Sequence, residues 1–216
     1  MYKIIPYSVN SGEVNMQTDS DILDYAIENK TLKPILRLYG WAPACVSLGR
    51  NQSEDFLDKS LLKTKGIDVV RRLTGGRALL HSDEITYSFV CPVSYLEHGE
   101  SVALSYKEIC EFLIEKFKKL GIELDFGSKR VSTKFDYCMM VSTGADLCYQ
   151  GKKLIGSAQC RKHGYILQHG SILYDYDAGL LEEIFGDNIY TNEITSIKEI
   201  NSDISKEDII NILSST

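Results

Sequence analysis

The sequence predicts an α+β fold in which a central mixed, mainly antiparallel sheet is flanked by helices. Strand-like runs dominate the middle of the chain, helical periodicity gathers toward its ends, and no linker-like stretch divides the 216 residues. One domain spanning 1–216 is therefore expected.

Taken in order, Tyr2 to Val9 reads as a strand. Asn15 to Asn29 carries Ile22, Leu23 and Ala26 at helical spacing. Pro34–Trp41 and Ala44–Leu48 are apolar runs around a short turn, and predict a hairpin. Ser53–Lys65 predicts a helix and Ile67–Arg72 a short β-branched strand. Glu84–Cys91 alternates through Ile85, Tyr87 and Phe89, as a strand does. Ser105 and Glu108 have capping-box spacing before a helix that ends at Leu120, with Ile109, Leu113, Phe117 and Leu120 on one face. Gly121 to Thr133 is the least patterned stretch and is expected to be a mobile loop. Strands are then expected around Tyr137–Val141, Ala145–Tyr149, Lys153–Gln159 and Tyr165–Leu173, with Gln150-Gly151 as a tight turn. Ala178–Phe185 and Ser205–Leu213 read as closing helices.

Bulk composition narrows the function. Hydrophobic residues at 44% suffice for a core without covalent staples. A net charge of -6 argues against general nucleic-acid binding. No apolar run approaches the roughly 18 residues of a membrane span. The start, MYKIIPYSVN, lacks the layout of a signal peptide. No membrane partner and a cytoplasmic location are expected. The six cysteines are scattered without a CxxC pair, which disfavours a metal site or a disulfide framework. They read as free thiols, most of them small core residues.

The segment Arg71-Arg72-Leu73-Thr74-Gly75-Gly76-Arg77-Ala78-Leu79-Leu80-His81 stands out. Paired glycines let backbone approach a ligand and expose N–H donors, and arginines suit carboxylate, phosphate or carbonyl oxygens. A hairpin turn with solvated arginines fits the same string. It is no P-loop, because no Gly-Lys-Ser/Thr follows.

With EITYSF just after it, RRLTGGRALLH resembles the signature loop of the lipoate–protein ligase, octanoyltransferase and biotin ligase superfamily. Arg77 stands where many ligases carry a third glycine, and the Gly-Gly-Arg form is similar to the cysteine-dependent octanoyltransferases of Gram-positive type. GKKLIGSAQ, residues 151–159, followed by Gln168-His169-Gly170-Ser171, resembles the superfamily's lysine motif and the strand paired behind it. Leu36-Arg37-Leu38-Tyr39-Gly40-Trp41 resembles an upstream strand of the same enzymes. The matches run in order from residue 34 to 175, and the C-terminal stretch is shorter than the tail expected of the octanoyltransferases.

The resemblance implies a biotin/lipoate ligase-like catalytic domain and two catalytic residues. Lys153 corresponds to the shared lysine, placed to polarise an acyl carbonyl or shuttle a proton. Cys138 stands at the nucleophile-to-lysine spacing of the transferases, and a thiolate beside a cation attacks thioesters well. Cys148 and Cys160 are rivals. Read alone, Lys153 also fits a surface lysine and Cys138 a buried strand cysteine. Substrate binding is expected from Arg72, Thr74, Gly75, Gly76, Arg77, His81, Gly156, Ser157, Ala158, His169 and Gly170. His81 and His169 fit structural roles equally. Leu79, Ile155 and Ala158 are candidates for an acyl slot or plain core.

An octanoyltransferase would move octanoyl from acyl carrier protein through a cysteine thioester to a lysine of a lipoyl domain or of glycine-cleavage H protein. It would need no cofactor and no metal. An ATP- and Mg-dependent lipoate–protein ligase is the alternative. Ala145-Asp146 stands where ligases place an Asn-Asp pair; the missing amide counts against nucleotide use, and Asp146 keeps the ligase open. An amidotransferase and a non-catalytic lipoyl-binding module are further alternatives.

Overall fold

The computed structural model describes residues 2–127, 136–140, 144, 146–186 and 191–215. In chain order its elements are β1 (Lys3–Asn10), α1 (Gly12–Glu28), β2 (Ile35–Trp41), β3 (Cys45–Leu48), α2 (Lys59–Thr64), β4 (Asp68–Arg71), β5 (Leu79–His81), β6 (Glu84–Pro92) and α3 (Val102–Lys119). There follow β7 (Asp125–Phe126), β8 (Leu147–Tyr149), β9 (Lys152–Lys162), β10 (Tyr165–Leu173), α4 (Ala178–Phe185), α5 (Ile197–Ile200) and α6 (Lys206–Ser214).

The described strands form a large sheet of order β1-β2-β6-β10-β9-β8-β7 and a small one of order β4-β3-β5. The large sheet is antiparallel except for β1 beside β2, as the mixed, mainly antiparallel expectation requires. Its two faces are covered by different helices. Ile22, Leu23 and Ala26 of α1 pack with Ile35, Val90 and Leu167 on one face. On the other, Leu36, Phe89 and Ile166 share a core with Ile109, Leu113 and Phe117 of α3 and Ile209 and Leu213 of α6. Burial from both sides makes β6 and β10 buried along their whole lengths. Among the described residues no helix is long and apolar enough to cross a membrane.

Four expectations are corrected. β2 and β3 form no hairpin: both edges of β2 are occupied, by β1 and β6, so the chain crosses to the small sheet and β3 pairs with β4 and β5. The helix expected from Ser53 begins only at Lys59, where the Asp58 carboxylate accepts from Ser60 N and Leu61 N. The cap of α3 is Ser101, which accepts from Leu104 N, because Arg161 and Gln159 engage Ser105 and the Glu108 carboxylate turns to His98. Around Tyr137 the strand reduces to one bridge to Ala78, followed by a 3-10 turn over Cys138–Met140. Residues 128–133 of the loop expected over Gly121–Thr133, and Val141, lie outside the described residues, while Asp125–Phe126 forms β7.

Candidate active site

The glycine loop connects β4 to β5, and its shape is set from inside by Arg72. The five N–H groups of this buried guanidinium serve Ser47 O and Oγ (2.7 Å each), Gly75 O (3.1 Å), Arg77 O (3.0 Å) and, more loosely, Thr74 Oγ1 (3.4 Å). Arg72 lines the cleft described below, yet its donors are spent on the protein, so it offers a ligand charge rather than hydrogen bonds. Burial lowers its pKa, and the thiol of Cys138 is the foremost of the groups pulling it back up. Gly76 takes φ +97°, and Gly49 supplies the floor: a Cβ there would lie 1.9 Å from Gly76 O.

The loop also carries the candidate nucleophile. Ala78 N donates to Asp136 O (3.0 Å) and Cys138 N to Ala78 O (2.7 Å), so the 138 segment is clipped to the loop's exit. Behind it, buried Lys153 donates from Nζ to Cys138 O at 3.1 Å and pairs with Asp146 Oδ2 at 3.1 Å. Its neighbour Lys152 is exposed. Gly156 lets this happen at the cleft wall, since a Cβ there would meet Met139 Sδ at 3.0 Å and Lys153 Nζ at 3.4 Å.

Two acid–histidine–hydroxyl chains converge on Arg72. Glu84 Oε1 meets His81 Nδ1 at 2.7 Å, and His81 Nε2 meets Ser47 Oγ at 2.6 Å. Asp19 Oδ2 meets His169 Nδ1 at 3.1 Å, and His169 Nε2 meets Thr74 Oγ1 at 2.8 Å. A guanidinium only donates, so Ser47 and Thr74 accept from Arg72 and pass their own protons to Nε2; each Nδ1–H then points at its carboxylate. Asp19 further accepts from Arg37 (2.8 Å) and Tyr39 (2.9 Å). Burial drives the Asp19 pKa up, but His169 and Arg37 more than offset it and hold it below the ordinary value. Both ring nitrogens of each histidine are engaged within the protein, and each ring also lines the cleft.

A cleft that encloses about 430 Å³ of space, part of it open to solvent, lies where β5 meets the centre of the large sheet. Cys138, Arg72, Gly76, His81 and His169 line it, and β9 and β10 add Gly156, Ser157, Ala158 and Gly170. Thr74, Gly75 and Arg77 shape the loop without lining the cleft, and Lys153 stands behind Gly156. Of the acyl-slot candidates Leu79 and Ala158 face the cleft, whereas Ile155 belongs to the core. Met16, Tyr39, Trp41, Thr86 and Ser171 also line it and are not among the expected site residues; the strings LRLYGW, EITYSF and Gln168-His169-Gly170-Ser171 held a signal for all but Met16. Among the described cysteines Cys138 is the one on the wall, and Cys148 and Cys160 lie off it. Burial pushes Cys45, Cys91 and Cys110 up to about 12 and also raises Cys160. Ala145 lies outside the described residues. Among those described, no cluster of three or more His, Cys, Asp or Glu is arranged to hold a metal ion.

Comparison with known proteins agrees with this architecture. The crystal structure of lipoate-protein ligase A bound with ATP superposes with a TM-score of 0.77 at 22% identity, covering 98% of this chain and 82% of that one. A bi-partite lipoate protein ligase from Thermoplasma acidophilum gives 0.71 at 21% identity, with 98% and 80% covered. At these identities the likeness speaks for the fold. In sequence, the octanoyltransferase LipM of Macrococcus caseolyticus is 38% identical over 185 residues, 82% of this chain and 67% of that protein. LipM of Staphylococcus aureus is 36% identical over 221 residues, 95% and 78% respectively. The model of the lipoyl protein ligase A/B catalytic domain matches residues 11–216. The chain belongs to the lipoyl protein ligase A/B catalytic domain family.

Proposed function

We propose that this chain is an octanoyltransferase of protein lipoylation. It takes octanoyl from the thioester of acyl carrier protein onto Cys138, then passes it to a lysine of a lipoyl domain or of glycine-cleavage H protein. One observation carries the reading. Cys138 is the cysteine on the cleft wall, clipped to the glycine loop, with Arg72 and Lys153 supplying positive charge around it. The relatives named octanoyltransferase support the same chemistry.

A thioester arrives already activated, so neither nucleotide nor metal is required. The Cys138 thiolate attacks the acyl carbonyl and the donor thiol departs with the proton. The acceptor amine then attacks the enzyme thioester, forms the amide and returns Cys138 to its thiol. Lys153, bonded to the Cys138 carbonyl, keeps the nucleophile in place through both steps and adds positive field near the reacting carbonyl.

Intact mass tests the covalent step. Incubation with octanoyl-carrier protein should add one octanoyl group to the wild type, to Cys148→Ser and to Cys160→Ser, and none to Cys138→Ser. Label that survives in Cys138→Ser assigns the wrong thiol. Steady pyrophosphate release from lipoate and ATP would instead mark an ATP-dependent ligase.

A further inference from the structure

A hydrogen-bond chain runs from the surface into the cleft, and its polarity is fixed at the outer end. Arg161 Nε donates to Gln159 Oε1 at 3.1 Å. A guanidinium has no acceptor, so this amide must present its oxygen to Arg161 and its nitrogen inward. Gln159 Nε2 then donates to Gln168 Oε1 at 3.1 Å, which in turn points Gln168 Nε2 at Tyr87 Oη, 2.9 Å away. Tyr87 Oη accepts from Gln168 and shares a 2.7 Å hydrogen bond with Ser157 Oγ. A Ser157 oxygen that accepts from Tyr87 keeps its own proton to donate.

The buried sulfur of Cys110, which Gln168 Nε2 approaches at 3.4 Å, is a weak acceptor beside this pair of hydroxyls. Ser157 also lines the cleft with Cys138, and stands one residue beyond Gly156, where a Cβ would meet Met139 Sδ at 3.0 Å. The Ser157 backbone N–H meets Asp146 Oδ1 at 3.4 Å. The side chain is thus the donor that Ser157 brings to the site.

Resting on the octanoyl-transfer reading above, we infer that the Ser157 hydroxyl is a catalytic oxyanion donor, and that Tyr87, Gln168, Gln159 and Arg161 are positioning residues that keep its proton turned toward the cleft. When the Cys138 thiolate forms its C–S bond, the carbonyl π pair moves onto oxygen. The Ser157 O–H turns to this charged acceptor. Collapse restores the carbonyl, breaks the donor's C–S bond and releases the donor thiolate, which takes up the proton that Cys138 shed.

The test compares two reactions of one thiol. Single-turnover acylation by octanoyl-pantetheine forms an oxyanion; alkylation by iodoacetamide, a displacement at a saturated carbon, forms none. Ser157→Ala should slow acylation ~100-fold, the usual cost of one oxyanion donor. Tyr87→Phe should slow it less, and alkylation should be unchanged in both. Acylation at the wild-type rate in Ser157→Ala overturns the inference. So does an equal slowing of acylation and alkylation, which would mean that the thiol itself had moved. A wild type that takes no octanoyl on Cys138 removes the octanoyl-transfer reading, and this inference falls with it.

Discussion

At position 138 the thiol is half-buried on a cleft wall, while burial pushes the thiols of Cys45, Cys91 and Cys110 up to about 12 and out of nucleophilic use at neutral pH. Lys153 differs from Lys152 in the same local way: one is buried against Asp146 and the Cys138 carbonyl, the other is exposed. Removing half of a buried ion pair leaves a charge in low dielectric, so Lys153→Ala should cost about 3 kcal/mol of stability. Lys152→Ala should stay within about 0.5 kcal/mol. Adding Asp146→Ala to Lys153→Ala should recover part of the loss, because no charge is then stranded. Urea denaturation of the three variants decides it, and equal midpoints for Lys152→Ala and Lys153→Ala would refute the pairing. The stability loss also changes how activity must be read, since transfer by Lys153→Ala has to be measured where the variant is folded.

Among the elements, the loop between β4 and β5 depends on its glycines unequally. A Cβ at Gly49 would strike Gly76 O at 1.9 Å, Gly76 itself sits at φ +97° with Arg72 Nη2 3.3 Å from a Cβ, and a Cβ at Gly75 would meet nothing within 4 Å. Gly49→Ala and Gly76→Ala should therefore displace the loop, lower the melting temperature and slow transfer, with Gly76→Ala costing on the order of 1–2 kcal/mol for its left-handed backbone. Gly75→Ala should match the wild type in both measurements; a Gly75→Ala variant as impaired as Gly76→Ala would show that the loop needs both glycines. The Gly-Gly pair was legible in the sequence, but not which glycine matters, because the partner at Gly49 comes from the distant turn that follows β3. Long alternating or periodic segments were legible too: β10 and α4 match their expected bounds, Tyr165–Leu173 and Ala178–Phe185. The β2–β3 hairpin was misjudged because fully buried apolar runs carry no alternation to say which edge is free. Cys138 and Lys153 were marked by the resemblance to the superfamily's motifs, whereas Ser47, Asp19 and Glu84 are ordinary polar residues until β3, α1 and β6 bring them together around Arg72.

Across the whole molecule, charged groups are buried beside the cleft, between the two sheets and α1, and that charge should set the response to acid. Desolvation holds the His81 pKa below its ordinary 6.5, with Glu84 opposing. Unfolding releases the ring to titrate near 6.5, so below that pH the unfolded chain binds the extra proton and stability falls, until pH drops below the depressed folded value. Asp19 and Glu84 act lower on the scale. Burial pushes both up, but their histidine and hydroxyl or guanidinium partners more than compensate and leave both below the ordinary 3.8 and 4.5. Each therefore contributes stability that is fully present above those values and is lost as pH falls through its folded pKa. Two stages are expected in the urea midpoint: level above about pH 7, a first decline beginning near 6.5 from His81, and a second below about 4.5 from the carboxylates. His81→Asn should be less stable at neutral pH, since Ser47 and Glu84 lose a partner, yet it should lack the first decline while keeping the second. A midpoint that stays level from pH 7 to 5 in the wild type, or a first decline that persists in His81→Asn, would show that the buried histidine next to Trp41 and Glu84 does not set the upper acid limit of the fold.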